Sequence, residues 1–369
     1  MSIRSRKLFG FTSIVLAIFV LAACSNDGDS GDGATGASTS ASASGDGTCT
    51  PSDSPVVTLA AYSNPYVAYG KITTNFATEW KDAHDGQSII WQLSFGGSTT
   101  QATNIVNGFK ADIYASSTGP DVQMVQDAGL ITHDWQSDPD GSVVQAGSVA
   151  FAVRPGNPKG IENWDDLTQP GLQILTPDPA QSGGARWNIV AAYGAAMRGE
   201  VPGYEANNPA DAQRLLEGIF KNVTVLDKSA NDSLKNFEAG NGDVAITYDY
   251  QLATSIAAGI EEDLVIPPST VAIRTPAVVV DTVAEEHCVK EIADAFVEYL
   301  HTPDAQDVFY SSAYTRPVDP AKTADATDYL PAVKDLFTTD DLGGWDVLVD
   351  DTVFGPDGAF TKAFQAVQG

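Results

Sequence analysis

Apolar positions along the chain fall into short runs that alternate with longer stretches of helical period. Residues 56–61 form an apolar run ending in Tyr62-Ser63-Asn64-Pro65, the pattern of a strand entering a turn. Over residues 71–84, Ile72, Phe76 and Trp80 share one face and predict an amphipathic helix. Residues 88–93 predict a second strand that stops at Gly96-Gly97-Ser98, and Ala102, Ile105, Val106 and Phe109 predict the helix after it. Strand, small-residue turn and helix recur from residues 111–114 and again from residues 172–175. This alternation predicts an α/β body with largely parallel sheets and no internal repeat.

In open α/β sheets the strand-to-helix turns gather at the carboxyl ends of the strands, and ligands bind there. Here those turns are Ser63-Asn64-Pro65, Gly96-Gly97-Ser98, Ser182-Gly183-Gly184, Ser229-Ala230 and the end of the run 244–248. Most carry small residues, which let a backbone approach a ligand closely. A helix leaves its first N–H groups unpaired and is partly positive at that end, so several helix starts aimed at one spot make an anion site without a cation. Ser98 and Ser182 each stand where a hydroxyl could donate to a bound oxygen or cap the following helix, and capping is the expectation for either serine alone. About seven donors at around 1.5 kcal/mol each supply on the order of 10 kcal/mol. After at least about 4 kcal/mol for association, that permits binding at roughly tens of micromolar or tighter.

Upstream of this body the pattern changes. Arg4, Arg6 and Lys7 precede an apolar stretch over residues 8–21 that ends in Leu21-Ala22-Ala23-Cys24, the layout of a secretory signal peptide over residues 1–23. The stretch is shorter than the roughly 20 apolar residues a membrane span needs. Leu21-Ala22-Ala23-Cys24 resembles a bacterial lipobox, in which the Cys24 thiol takes a diacylglycerol and becomes the new N-terminus. Residues 24–50 are mostly Ser, Gly, Asp, Ala and Thr, which bury nothing and read as a flexible tether. The expected location is therefore outside the cell, anchored by lipid to the outer face of the cytoplasmic membrane.

A net charge of −28 excludes nucleic acid as a partner. It does not exclude an anionic ligand, because backbone N–H groups and helix ends are not counted in it. With Cys24 consumed by lipid, Cys49 and Cys288 remain in an oxidising compartment, and one disulfide is expected.

The string Ser182-Gly183-Gly184-Ala185-Arg186-Trp187-Asn188 is long and unusual, and around it the sequence resembles the sulfate and thiosulfate periplasmic binding proteins of ABC importers. The resemblance takes in Phe95-Gly96-Gly97-Ser98, Val153-Arg154-Pro155-Gly156-Asn157-Pro158-Lys159, Trp164-Asp165-Asp166-Leu167, Thr176-Pro177-Asp178-Pro179, Arg316-Pro317 and Gly343-Gly344-Trp345. It implies a type II periplasmic-binding-protein fold: two α/β lobes joined by crossover segments, with the ligand in the cleft between them. The crossovers are expected near residues 149–154 and 265–272. Lobe one would hold residues 51–150 and 270–325, lobe two residues 151–269, and a C-terminal helical segment over residues 326–369 is assigned to neither. Cys49 and Cys288 would then share a lobe.

The resemblance further implies a dehydrated oxyanion held by the backbone N–H groups of Asn64, Ser98, Gly183, Gly184 and Ala230, by the Ser182 hydroxyl and by Tyr248, with Arg186 supporting the binding loops. Asn64 stands where the family commonly has aspartate, and Tyr248 where it often has a tryptophan; molybdate-binding relatives also use a tyrosine. Strand alternation predicts Tyr248 and Tyr250 on one face and Asp249 on the other, hence no carboxylate at the anion. The implied partners are sulfate or thiosulfate, a cognate permease and the membrane, with the protein a monomer and no cofactor or metal involved. Other readings are molybdate, phosphate or ferric iron as the solute, or an enzyme. The sequence has no nucleophile elbow, no phosphate loop, and four histidines, His84, His133, His287 and His301, without ligand spacing.

Overall fold

The computed structural model describes Cys49, residues 52–137 and residues 139–368. The expected signal segment, Cys24 and most of the expected tether lie outside the described residues. The chain runs β1 (Val56–Tyr62), α1 (Tyr66–Ala83), β2 (Ile90–Gly96), α2 (Ser98–Val106), β3 (Ile113–Ala115), α3 (Gly119–Asp127) and β4 (Val143–Val153). It continues through β5 (Ile174–Pro177), α4 (Gly183–Met197), α5 (Pro209–Asn222), β6 (Val223–Asp227), α6 (Ala230–Glu238), β7 (Val244–Tyr248), α7 (Asp249–Ala257), β8 (Asp263–Val265) and β9 (Ser269–Val279). Then come α8 (Asp281–Glu286), α9 (Lys290–Tyr299), α10 (Pro303–Ala313), β10 (Asp335–Phe337), α11 (Gly344–Val347) and α12 (Ala359–Gln368).

The strand order is β2-β1-β3-β9-β4-β7-β5-β6, with β10 beside β9 and β8 beside β4. Toward one end of this order β1 pairs parallel with β2 and β3, and toward the other β5 pairs parallel with β6 and β7. The expected largely parallel sheet is corrected at the crossing strands. β9 runs antiparallel to β3, and β4 antiparallel to β7, β8 and β9. A chain that leaves one lobe and later returns passes the junction in opposite directions, so its two crossing strands oppose one another. β4 pairs with β9 over residues 143–148 and with β7 over residues 149–153, so it links the two ends of the strand order.

Helix α1 starts five residues before the expected position, because Ala68 and Tyr69 extend the buried face formed by Ile72, Phe76 and Trp80. Conversely, α2 stops at Val106, the chain turns through Gly108 at φ +104°, and Phe109 is exposed rather than on the helix face. Helix α4 is buried on almost every side, which its run of alanines and glycines permits. At Gly194 an added Cβ would lie 2.3 Å from the Phe337 ring, so only glycine admits that side chain. The C-terminal segment packs against α4 and α5: Phe360 of α12 meets Phe220 of α5 at 5.1 Å between ring centroids, and Arg198, at the end of α4, pairs with Asp335 at 2.6 Å. Cys49 and Cys288 stand with their Cα atoms 5.2 Å apart, as disulfide geometry requires.

Candidate functional site

Each expected turn ends in a helix start. Asn64 precedes α1, Gly97-Ser98 opens α2, Ser182-Gly183 opens α4, Ser229-Ala230 opens α6, and Tyr248 closes β7 at the head of α7. Among the described residues, the N–H groups of Asn64, Ser98, Gly183, Gly184 and Ala230 donate to no protein acceptor. They are the orphan donors that helix starts leave.

Contacts tie these starts together. A Cβ added at Gly184 would lie 3.1 Å from the Ala230 Cβ and 3.2 Å from the Tyr248 hydroxyl. One added at Gly183 would lie 2.8 Å from the Ser117 Oγ and 2.9 Å from the Thr118 side chain. Gly97 is just as constrained, its absent Cβ lying 2.4 Å from the Gln181 carbonyl and 2.7 Å from that of Lys228. Asn64 joins through its side chain: Nδ2 donates to Gln251 Oε1 at 3.0 Å, and Gln251 Nε2 donates to the Ala230 carbonyl at 3.4 Å. Close approach thus excludes a side chain at Gly97 and Gly183 without some displacement and crowds one at Gly184, with none of the three at positive φ.

The serine hydroxyls depart from the expected capping. Ser98 is the first residue of α2, behind Gly97 at the cap, and its hydroxyl donates to Asp121 Oδ2 at 2.7 Å while accepting from the Ser117 N–H at 3.0 Å. Its hydrogen is therefore committed inside the protein, which leaves its N–H for a ligand. Ser182 does occupy the cap of α4 but makes no side-chain cap bond. Ser229, by contrast, caps α6 by accepting from the Asp232 N–H at 3.1 Å.

Tyr248 is fully buried, and its hydroxyl meets the Ser117 hydroxyl at 2.6 Å. Burial, with the neighbouring Tyr62 adding to it, pushes its ionisation well above the usual phenol range, so it remains a neutral hydroxyl. Burial likewise pushes Tyr62 up to about 12. Contrary to the expected strand alternation, β7 ends at Tyr248, and Asp249 and Tyr250 belong to α7. Asp249 is nevertheless occupied elsewhere: it accepts from Ser148 N–H and Oγ, from the Tyr250 N–H and from Arg316 Nε.

Arg186 lies at the end of the first turn of α4 and reaches Asp121 Oδ1 at 3.2 Å, next to the oxygen that holds Ser98 and Thr118. Sequence reasoning did not name Asp121 or Ser117, and it gave Trp187 no role beyond its place in the string from Ser182 to Asn188. The signal for the first two was another small-residue turn, Ser116-Ser117-Thr118, between β3 and α3. Trp187 Nε1 donates to the Ser117 carbonyl at 2.8 Å. Of the histidines, His133 pairs with Asp281 and His287 with Asp112, remote from these turns. No group of three or more metal-ligating side chains occurs among the described residues.

Residues 57–315 match the family described as bacterial extracellular solute-binding protein. The sulfate-binding protein of Synechococcus elongatus is 36% identical over 318 residues, covering 85% of this chain and 87% of the relative. That of Salmonella typhimurium is 37% identical over 283 residues, covering 75% and 83%. Among solved structures, the sulfate-binding protein SubI of Mycobacterium tuberculosis superposes with a TM-score of 0.72 at 31% identity, covering 81% of this chain and 99% of that one.

Proposed function

The chain belongs to the bacterial extracellular solute-binding proteins, and we propose that it captures sulfate or thiosulfate outside the cytoplasm and delivers it to an ABC permease. It is a binding protein and not an enzyme. The observation that carries the ligand reading is the set of unpaired N–H groups at Asn64, Ser98, Gly183, Gly184 and Ala230, linked by close contacts. With the hydroxyls of Ser182 and Tyr248 they offer seven donors, enough to replace the hydration of a tetrahedral dianion. Arg186 supports the loops from behind, through Asp121, without lying beneath the anion.

In this reading residues 51–150 and 270–325 form one lobe and residues 151–269 the other. The binding lobes act as a monomer held to the membrane by diacylglycerol on Cys24. A Cys49–Cys288 disulfide ties the start of the folded body to the turn between α8 and α9. It closes a loop of 239 residues, worth about 5 kcal/mol in the chain-entropy model. Equilibrium dialysis of the purified protein against labelled sulfate tests the function: saturable binding at one site per chain supports it, and no retention overturns it. Non-reducing peptide mapping tests the bridge, and two free thiols would exclude it.

A further inference from the structure

Two hydroxyls from opposite lobes meet over the first turn of α4: Ser117, which follows β3, and Tyr248, which ends β7. Their oxygens are 2.6 Å apart, and among the described residues neither hydroxyl has another hydrogen-bond partner. The Ser117 backbone is fixed from both sides. Its N–H donates to Ser98 Oγ at 3.0 Å, and its carbonyl accepts from Trp187 Nε1 at 2.8 Å. The absent Cβ atoms of Gly183 and Gly184 would fall 2.8 Å from the Ser117 Oγ and 3.2 Å from the Tyr248 hydroxyl. Both oxygens therefore border consecutive residues whose N–H groups have no protein acceptor.

We infer that Ser117 sets the direction of the Tyr248 hydroxyl, and that the pair presents a single hydrogen to the bound anion from a link spanning the two lobes. This rests on the anion lying at the start of α4, as proposed above. Two hydroxyls carry two hydrogens. One lies between the oxygens, and the other is left for the ligand, with the shared bond polarising it. A phenol alone can rotate its hydrogen toward or away from the anion; the bond to Ser117 removes that freedom. Because the partners come from different lobes, the donor is complete only when the lobes are together, which couples closure to ligand recognition. Ser117 is in this account a positioning residue for Tyr248.

The test is a double-mutant cycle by sulfate calorimetry on wild type, Ser117→Ala, Tyr248→Phe and the double variant, with unfolding midpoints measured alongside. Each single variant should bind sulfate about tenfold more weakly with an unchanged midpoint, and the double variant should be no more than about threefold weaker than either. Full additivity, with the double variant about a hundredfold weaker, would show independent hydroxyls and overturn the inference. So would wild-type affinity in Ser117→Ala, with the proposed function left standing. A wild type that binds no sulfate overturns both.

Discussion

Arg316 and Asp249 form an ion pair sealed from water, with Nε 2.6 Å from Oδ2 and neither side chain exposed. Asp249 is the first residue of α7, directly after Tyr248. The Arg316 guanidinium also donates to the carbonyls of Asp325 and Pro331, at 3.0 and 2.7 Å. The pair therefore pins the head of α7 to the segment that follows α10.

Removing one partner of a buried pair leaves the other charge uncompensated, at about 3–5 kcal/mol. Arg316→Ala should lose stability in that range by urea unfolding. A loss below about 1 kcal/mol would mean that the pair is solvated in the folded protein.

Gly183 and Ser182 should respond very differently. Any side chain at Gly183 must displace Ser117 or Thr118, at 2.8 and 2.9 Å, whereas Ser182→Ala removes one hydroxyl. Gly183→Val should abolish sulfate binding, and Ser182→Ala should weaken it by about 1–3 kcal/mol. Equal, small effects on the titrated affinity would place the anion elsewhere.

The spacing of apolar residues located the core of α1 and the strand-to-helix turns, because burial on one face imposes a period that survives in the sequence. It misplaced the start of α1 and the end of α2, where Tyr69 and Gly108 decide the boundary through packing and backbone shape. The glycines at 97, 183 and 184 were legible as sites of close approach. What stood against them was not: the carbonyls of Gln181 and Lys228 and the hydroxyl of Ser117 are brought there by tertiary folding. Ser98 and Asp121 are 23 residues apart, and no local pattern announces their bond. Asp249 was placed away from Tyr248 by a strand rule that does not apply at the head of a helix; its distant partner Arg316 is what holds it.

Glu262 makes stability depend on pH. It is buried, neither carboxyl oxygen accepts a hydrogen bond among the described residues, and burial pushes its ionisation from 4.5 up to about 7. The Ser255 hydroxyl, which donates to Glu238 at 2.7 Å, draws it partly back, the Glu238 carboxylate adds to the rise, and Arg154 opposes it. The folded chain thus keeps a proton that the unfolded chain loses first. This contribution falls as pH rises from about 4.5 to about 7 and is level above that, a total of up to about 3 kcal/mol. Glu262→Gln should gain on wild type across that window in urea unfolding. A difference independent of pH would contradict the assignment.

The most direct measurement is isothermal titration of the purified protein against sulfate, thiosulfate, molybdate and phosphate at neutral pH. Every group assigned to the anion donates. Asp121, behind the loops, has both oxygens engaged by Ser98, Thr118 and Arg186, so a proton on phosphate finds no free carboxylate there and can pair only with a hydroxyl that would otherwise donate. Sulfate should bind at one site at roughly tens of micromolar or tighter, and phosphate at least about a hundredfold more weakly. Phosphate bound as tightly as sulfate, or molybdate displacing sulfate at equal concentration, would contradict the account.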